Sequence, residues 1–335
     1  MEMDFLRMAG TLFVTLVLAG SLASIPVRAA AQIPAGALEY RQEMVQLLVD
    51  IHQYAQRKNT AFFLLSNNGL PLLNPAETPP AAVAALAASL DGVLTESCHY
   101  GWELKDDVAT PPEEQASMRA YIQYAKLQQL PVFNIDYCFS RRAVRSASSL
   151  NRQDGLVGFA APRRQLDTIP AALENENAQN CRSLRTARNF LVLLNPERFA
   201  TRAAYLAALQ ATNYDLLIVD LIYGDAPLQP AEVQALKKKA NGGKRLVFAY
   251  MSVGEAETYR PYWQTAWEDA PPAWLAAKNE DWVGSYKVKY WTREWRALLY
   301  GSQSAYLDQI LAAGFDGAFL DVVDAYDYFS AASAE

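Results

Sequence analysis

Short, nearly continuous apolar runs recur along the chain at Ala61–Leu65, Gly92–Leu94, Val132–Ile135, Gly155–Phe159, Phe190–Leu194, Leu216–Val219, Leu246–Tyr250 and Gly317–Leu320. Runs this short and this uniformly apolar predict parallel strands buried on both faces. Between them, Tyr40–Lys58, Glu113–Leu130, Pro230–Ala240 and Ala305–Ala313 read as helices. Pro111-Pro112 opens the second of these and Pro230 the third, as suits a residue that lacks the N–H a first helical turn leaves unused. Eight strands alternating with helices predict an α/β fold, a single (β/α)8 barrel, rather than an open doubly wound sheet. Neither Asn68-Gly69 nor Gly242-Gly243 belongs to the G-x-G-x-x-G pattern that a dinucleotide-binding turn requires.

The first residues form a separate signal. Arg7 precedes the apolar stretch Met8 to Leu22, and Val27 to Ala31 supplies small residues suited to cleavage, so 1–31 reads as a signal peptide and the mature protein as secreted or periplasmic. No later run approaches the ~18 to 20 apolar residues of a membrane helix, so no stable span is expected after cleavage. The net charge of −6 argues against nucleic acid as a partner. Cys98, Cys138 and Cys181 form no C-x-x-C or Cys/His cluster, so no metal site is expected. A Cys98–Cys138 bridge and free buried thiols both remain open. Oligomeric state cannot be read from the chain.

Six of the eight runs end in polar or acidic residues: Asn67-Asn68, Glu96, Asp136, Asp220, Glu255 with Glu257, and Asp321 with Asp324. One such residue is an ordinary helix cap. Six of them predict a polar, acidic cleft where the strand C-termini of a barrel open on one face. Two carboxyl groups on such a face suffice to hydrolyse a glycosidic bond without metal or other cofactor. Aromatic residues for sugar stacking are dense between Tyr259 and Trp295, although most of that cluster is expected to pack an excursion against the barrel. Only two histidines exist. His52 lies in a predicted helix, while His99 follows Glu96 and could line the cleft, which leaves little for Ser-His-Asp or multi-histidine metal catalysis.

Longer strings then carry a resemblance. Phe248 to Trp263 (FAYMSVGEAETYRPYW) and Gly314 to Tyr326 (GFDGAFLDVVDAY) resemble the strand-loop motifs of the endo-α-1,4-polygalactosaminidase-type enzymes of glycoside hydrolase family 114. Val288 to Trp291 with Trp295, Tyr40 to Met44 with Tyr54-Ala55, Asn67 to Gly69, Asp91 to Glu96, and Ile135 to Tyr137 are similar to its remaining segments. The order differs. The family writes the block found here at 189–335 first and the block at 36–169 second, so the resemblance implies a circular permutation joined through a polar linker, 170–188. A fragment of a tandem array is the rival explanation.

The resemblance implies that Asp321 is the nucleophile and Glu96 the acid/base, acting on a partly deacetylated, α-1,4-linked galactosamine polysaccharide. It further implies substrate-binding roles for Asp324, Tyr326, Glu255, Glu257, Arg260, Asp220, Asp136, Tyr137, Asn67, Tyr250, Tyr290, Trp291 and His99. Glu96-Ser-Cys98-His-Tyr100 keeps the family's glutamate and cysteine but shortens their spacing to tyrosine. Two other functions compete: a non-catalytic carbohydrate-binding barrel, and an accessory protein of a polysaccharide export system. A polysaccharide deacetylase is disfavoured by the missing metal ligands.

Overall fold

The computed structural model describes residues 39–333. The expected signal peptide lies outside them. Eight strands form one all-parallel sheet: β1 (Phe63–Asn67), β2 (Gly92–Glu96), β3 (Val132–Tyr137), β4 (Val157–Ala161), β5 (Phe190–Leu193), β6 (Leu216–Val219), β7 (Leu246–Ser252) and β8 (Gly317–Asp321). Strands β2, β3, β5, β6, β7 and β8 are buried along their whole length, which is why their sequences are apolar rather than alternating. Neighbours in space follow chain order, and β8 pairs with β1 from Phe63↔Gly317 to Ser66↔Leu320, so the sheet curls into a barrel. The α/β barrel expectation holds.

Only between β4 and β5 does the sheet lack a ladder. Aromatic rings stand there instead: Phe159 and Phe190 lie 5.5 Å apart between centroids, and Phe133 meets Phe190 edge-on at 5.3 Å.

Helices wrap the barrel. They are α1 (Tyr40–Lys58), α2 (Pro80–Ser89), α3 (Pro112–Leu127), α4 (Arg141–Gln153), α5 (Arg202–Gln210), α6 (Pro230–Leu236), α7 (Arg293–Leu299), α8 (Tyr306–Ala313) and α9 (Tyr326–Ala332). The β4–β5 crossover is different: residues 162–189 hold no α-helix, only a 3-10 turn at Leu184–Thr186. The segment expected to be a polar surface linker, 170–188, lies within it and is partly buried. Cys181, Leu184 and Ala187 are buried in the core. Lys239, wholly buried, donates to Asp215 Oδ1 (2.5 Å), Gln179 O (2.8 Å) and Asn177 O (3.1 Å), so one ammonium pins the crossover to the ends of β6 and α6. The two ends of the described chain meet, since α9 packs on α1 and the Tyr40 hydroxyl lies 3.0 Å from Ser333 Oγ.

The aromatic-rich stretch after β7 packs as expected. A three-stranded antiparallel sheet (Glu255–Glu257, Leu275–Lys278, Ser285–Val288) carries it. Trp263, Trp267, Trp274 and Trp295 form a chain of ring contacts at 5.1 to 5.3 Å. All three cysteines are buried free thiols. No helix among the described residues is long and apolar enough to cross a membrane.

Candidate active site

Three neighbouring strands, β8, β1 and β2, end in Asp321, Asn67 and Glu96, and all three side chains are buried. Asn67 lies between the two acids. Its Nδ2 donates to Glu96 Oε1 at 2.7 Å and to Asp321 Oδ1 at 2.7 Å. The two acceptor oxygens are therefore no more than about 5.4 Å apart, twice that length. Each carboxylate receives a second donor from a tyrosine. Tyr137, at the end of β3, donates to Glu96 Oε2, and Tyr250, on β7, donates to Asp321 Oδ2 at 2.9 Å.

The chain turns in the same way after each of the three residues. Asn68, Ser97 and Val322 have φ of 58°, 55° and 60°, left-handed conformations that favour glycine. A β-branched valine there is a true outlier, and such strain gathers at functional sites. The Val322 turn is enclosed from two sides. A Cβ on Gly254 would come within 2.2 Å of Val322 O, and one on Gly69 within 2.6 Å of a Val323 methyl. Glycine at both positions lets the loops after β7 and β1 close on the loop that follows Asp321.

Burial sets the electrostatics. It pushes the Glu96 carboxyl up to about 8, against the pull of the Tyr137 and Asn67 hydrogen bonds. Asp321 rises for the same reason, to about 6, with the Asn67 and Tyr250 bonds holding it lower. Two adjacent acids thus prefer opposite protonation states near neutrality, the usual sign of an acid paired with a base or nucleophile. Asp324 is also raised by burial and by the charge of Asp321, to about 7, and its Oδ2 has no hydrogen-bond partner among the described residues.

The remaining expected site residues fall into distinct groups. Arg260 is buried between Glu257 (Nε to Oε2, 2.6 Å) and Asp220 (Nη1 to Oδ1, 2.9 Å), and it also donates to Tyr306 OH at 2.6 Å. Tyr250 OH lies 3.3 Å from Glu257 Oε1, so this ionic network backs the tyrosine that serves Asp321. Glu255 is engaged by Lys287 (2.5 Å) and Asn279 (2.8 Å) within the antiparallel excursion. The ring of Tyr326 lies under Arg41, 4.5 Å from its guanidinium carbon.

Four residues sit away from the acid pair. Asp136 alternates with Tyr137 on β3 and so faces the opposite side, where it accepts from the amides of His99 (2.8 Å) and Tyr100 (2.9 Å) and from Asn134 and Asn151. It shapes the loop after Glu96 instead of facing the acid pair. His99 points to Asp154, 3.6 Å away. Tyr290 donates to Tyr40 O at 2.9 Å, and Trp291 packs on Tyr40 and Phe329, so both fasten α1 to α9. Conversely, Arg164 escaped the sequence reading. It is buried, with its guanidinium 3.8 Å from the Tyr137 ring and Nη2 donating to Gly101 O at 3.0 Å. An arginine amid the polar crossover 162–189 carries no motif that would single it out. No group of three or more His, Cys, Asp or Glu suited to a metal occurs among the described residues.

Residues 192–335 match the model of glycoside-hydrolase family GH114. The matched segment starts within β5 and includes Asp321, Tyr250 and the Arg260 network. It supports a glycoside hydrolase. Uncharacterized proteins are similar over part of the chain. One of Methanocaldococcus jannaschii is 33% identical over 154 residues, 46% of this chain and 42% of that one. One of Deinococcus radiodurans is 41% identical over 122 residues, 36% and 37% of the two chains. One of Thermotoga maritima is 30% identical over 122 residues, 36% of each. The chain thus spans about two fifths of the length of these relatives.

Proposed function

We propose that the protein is an exported, retaining glycoside hydrolase acting on an α-1,4-linked, galactosamine-rich polysaccharide, with Asp321 as nucleophile and Glu96 as acid/base. The observation that carries this reading is the separation of the pair. The two bonds from one nitrogen keep the acceptor oxygens within about 5.4 Å of each other, on the side of the roughly 5–5.5 Å of retaining enzymes rather than the about 6.5–9.5 Å of inverting ones. Asp321 attacks the anomeric carbon while Glu96 gives its proton to the departing oxygen. Glu96, now ionised, then takes a proton from water, which displaces Asp321 and regenerates both groups. The pair is suited to these roles because the group raised further, Glu96, is the one that must hold a proton. The buried oxygen of Asp324, unpaired and beside Asp321, is placed to take a sugar ammonium or hydroxyl.

The same reading treats the chain as a circular permutation of the family order. Three features support it: the GH114 match falls on the later block, the β4–β5 join has neither ladder nor helix, and the described ends meet at Tyr40 and Ser333. The test is hydrolysis of partly deacetylated α-1,4-galactosaminan, measured as new reducing ends. Wild type should release them, and Glu96→Gln and Asp321→Asn should lose at least about 1000-fold of that rate while remaining folded. Equal rates in wild type and both variants would defeat the assignment.

A further inference from the structure

Asn67 is placed by its strand. Because β1 pairs with β2 on one side and β8 on the other, its last residue stands between the strand ends that carry Glu96 and Asp321. Its one amide nitrogen donates to both, at 2.7 Å each. Its Oδ1 is buried with no hydrogen-bond partner among the described residues, so only the donor end of the amide meets the pair. The opposite orientation would set a carbonyl oxygen against two carboxyl oxygens, which is repulsive whenever either is ionised. The backbone holds the side chain in this position. Asn68 takes φ 58° and donates its N–H to Leu94 O at 2.7 Å, and Gly69 follows at φ 77° against Val323.

We propose that Asn67 is a positioning residue that couples the two carboxyl groups, tethering them at fixed spacing through one nitrogen and favouring the ionised form of each. The physical basis is that a hydrogen bond donated to a carboxylate stabilises its charged form. Tyr137 and Tyr250 each act on one carboxyl of the pair, whereas Asn67 acts on both. A single substitution at Asn67 should therefore move two titrations in the same direction, while either tyrosine should move one. The naming of these groups as nucleophile and acid/base rests on the proposed function; the coupling itself does not.

The test reads the carboxyl groups directly. Protein labelled with 13C at Asp and Glu carboxyls is titrated by NMR, with Glu96→Gln and Asp321→Asn used for assignment. Asn67→Ala removes the donors, and Asn67→Leu removes them while keeping the volume, so a cavity effect is separated from a hydrogen-bond effect. In both variants the two midpoints should rise, each by about one pH unit, a tenfold gain in proton affinity. In Tyr137→Phe only the Glu96 midpoint should move. Midpoints within about 0.3 of wild type in folded Asn67→Ala and Asn67→Leu, or movement of one group alone, would overturn the coupling. Shifted midpoints in a protein that hydrolyses no galactosaminan would leave the coupling standing and defeat the glycosidase reading.

Discussion

Replacing Lys239 with methionine should destabilise the whole barrel, because it leaves a buried carboxylate without its counter-charge. Lys239 and Asp215 are both buried, with side-chain exposures of 0% and 2%, and their charged atoms lie 2.5 Å apart. The ammonium also serves Gln179 O and Asn177 O, the only charged side chain described as tying those carbonyls of the crossover to the barrel. Breaking a buried pair from one side costs about 3–5 kcal/mol. With an unfolding entropy near 2.1 cal/mol/K per residue over about 300 residues, that corresponds to a Tm fall of roughly 5–8 °C. Removing both charges, in Lys239→Met with Asp215→Asn, should cost less than the sum of the single changes, because no lone buried charge remains. Differential scanning calorimetry of the three variants reads this directly. A Lys239→Met protein within about 2 °C of wild type, or a double variant showing simple additivity, would refute the idea that this pair fastens the crossover.

Other outcomes follow from the acid pair. Turnover should be bell-shaped in pH, with Asp321 ionising near 6 on the acid side and Glu96 losing its proton near 8 on the alkaline side; Tyr250→Phe should raise the first limb and Tyr137→Phe the second. Stability should fall as pH rises: both groups bind protons more tightly folded than unfolded, so their stabilising contribution is complete below about pH 4 and is lost through about 6 for Asp321 and about 8 for Glu96. The slope is up to ~1.4 kcal/mol per pH unit for each group, and Glu96→Gln should flatten the pH 5 to 8 part of a Tm–pH curve. Gly254→Ala would bring a Cβ to 2.2 Å from Val322 O, so the loop beside Asp321 must retreat by about 1 Å. A misplacement of that size can cost roughly 100-fold in rate, and steady-state kinetics of the folded variant would expose a smaller effect.

How much of this was legible in the chain depended on what each residue had to satisfy. The apolar runs located all eight strands, because burial on both faces, complete in six of them, leaves little else to place there. Their ends were read short at Leu94, Ile135, Tyr250 and Leu320, whereas the ladders run on to Glu96, Tyr137, Ser252 and Asp321. A polar side chain breaks a hydrophobic run but does not break a ladder made of backbone, so Glu96 and Asp321 are the last rungs of their strands. The same alternation separated Tyr137 from Asp136. Both stand at a strand end in sequence, but only one parity faces the barrel mouth. Arg164 and the Lys239–Asp215 pair were not legible, since each contact depends on how the crossover 162–189 folds back, and that segment has neither helical nor strand periodicity. The bridging role of Asn67 required the side-chain distances.

A pair spaced for two successive displacements at one anomeric carbon, as proposed for Asp321 and Glu96, returns the configuration of the bond it cleaves. Following the first-formed reducing ends by 1H NMR, before mutarotation mixes them, tests this most directly. Hydrolysis of an α-linked galactosamine polymer should release the α-anomer first, with the β-form growing only afterwards. Initial release of the β-anomer would mean a single displacement by water, and the geometry assigned to this pair would then be wrong.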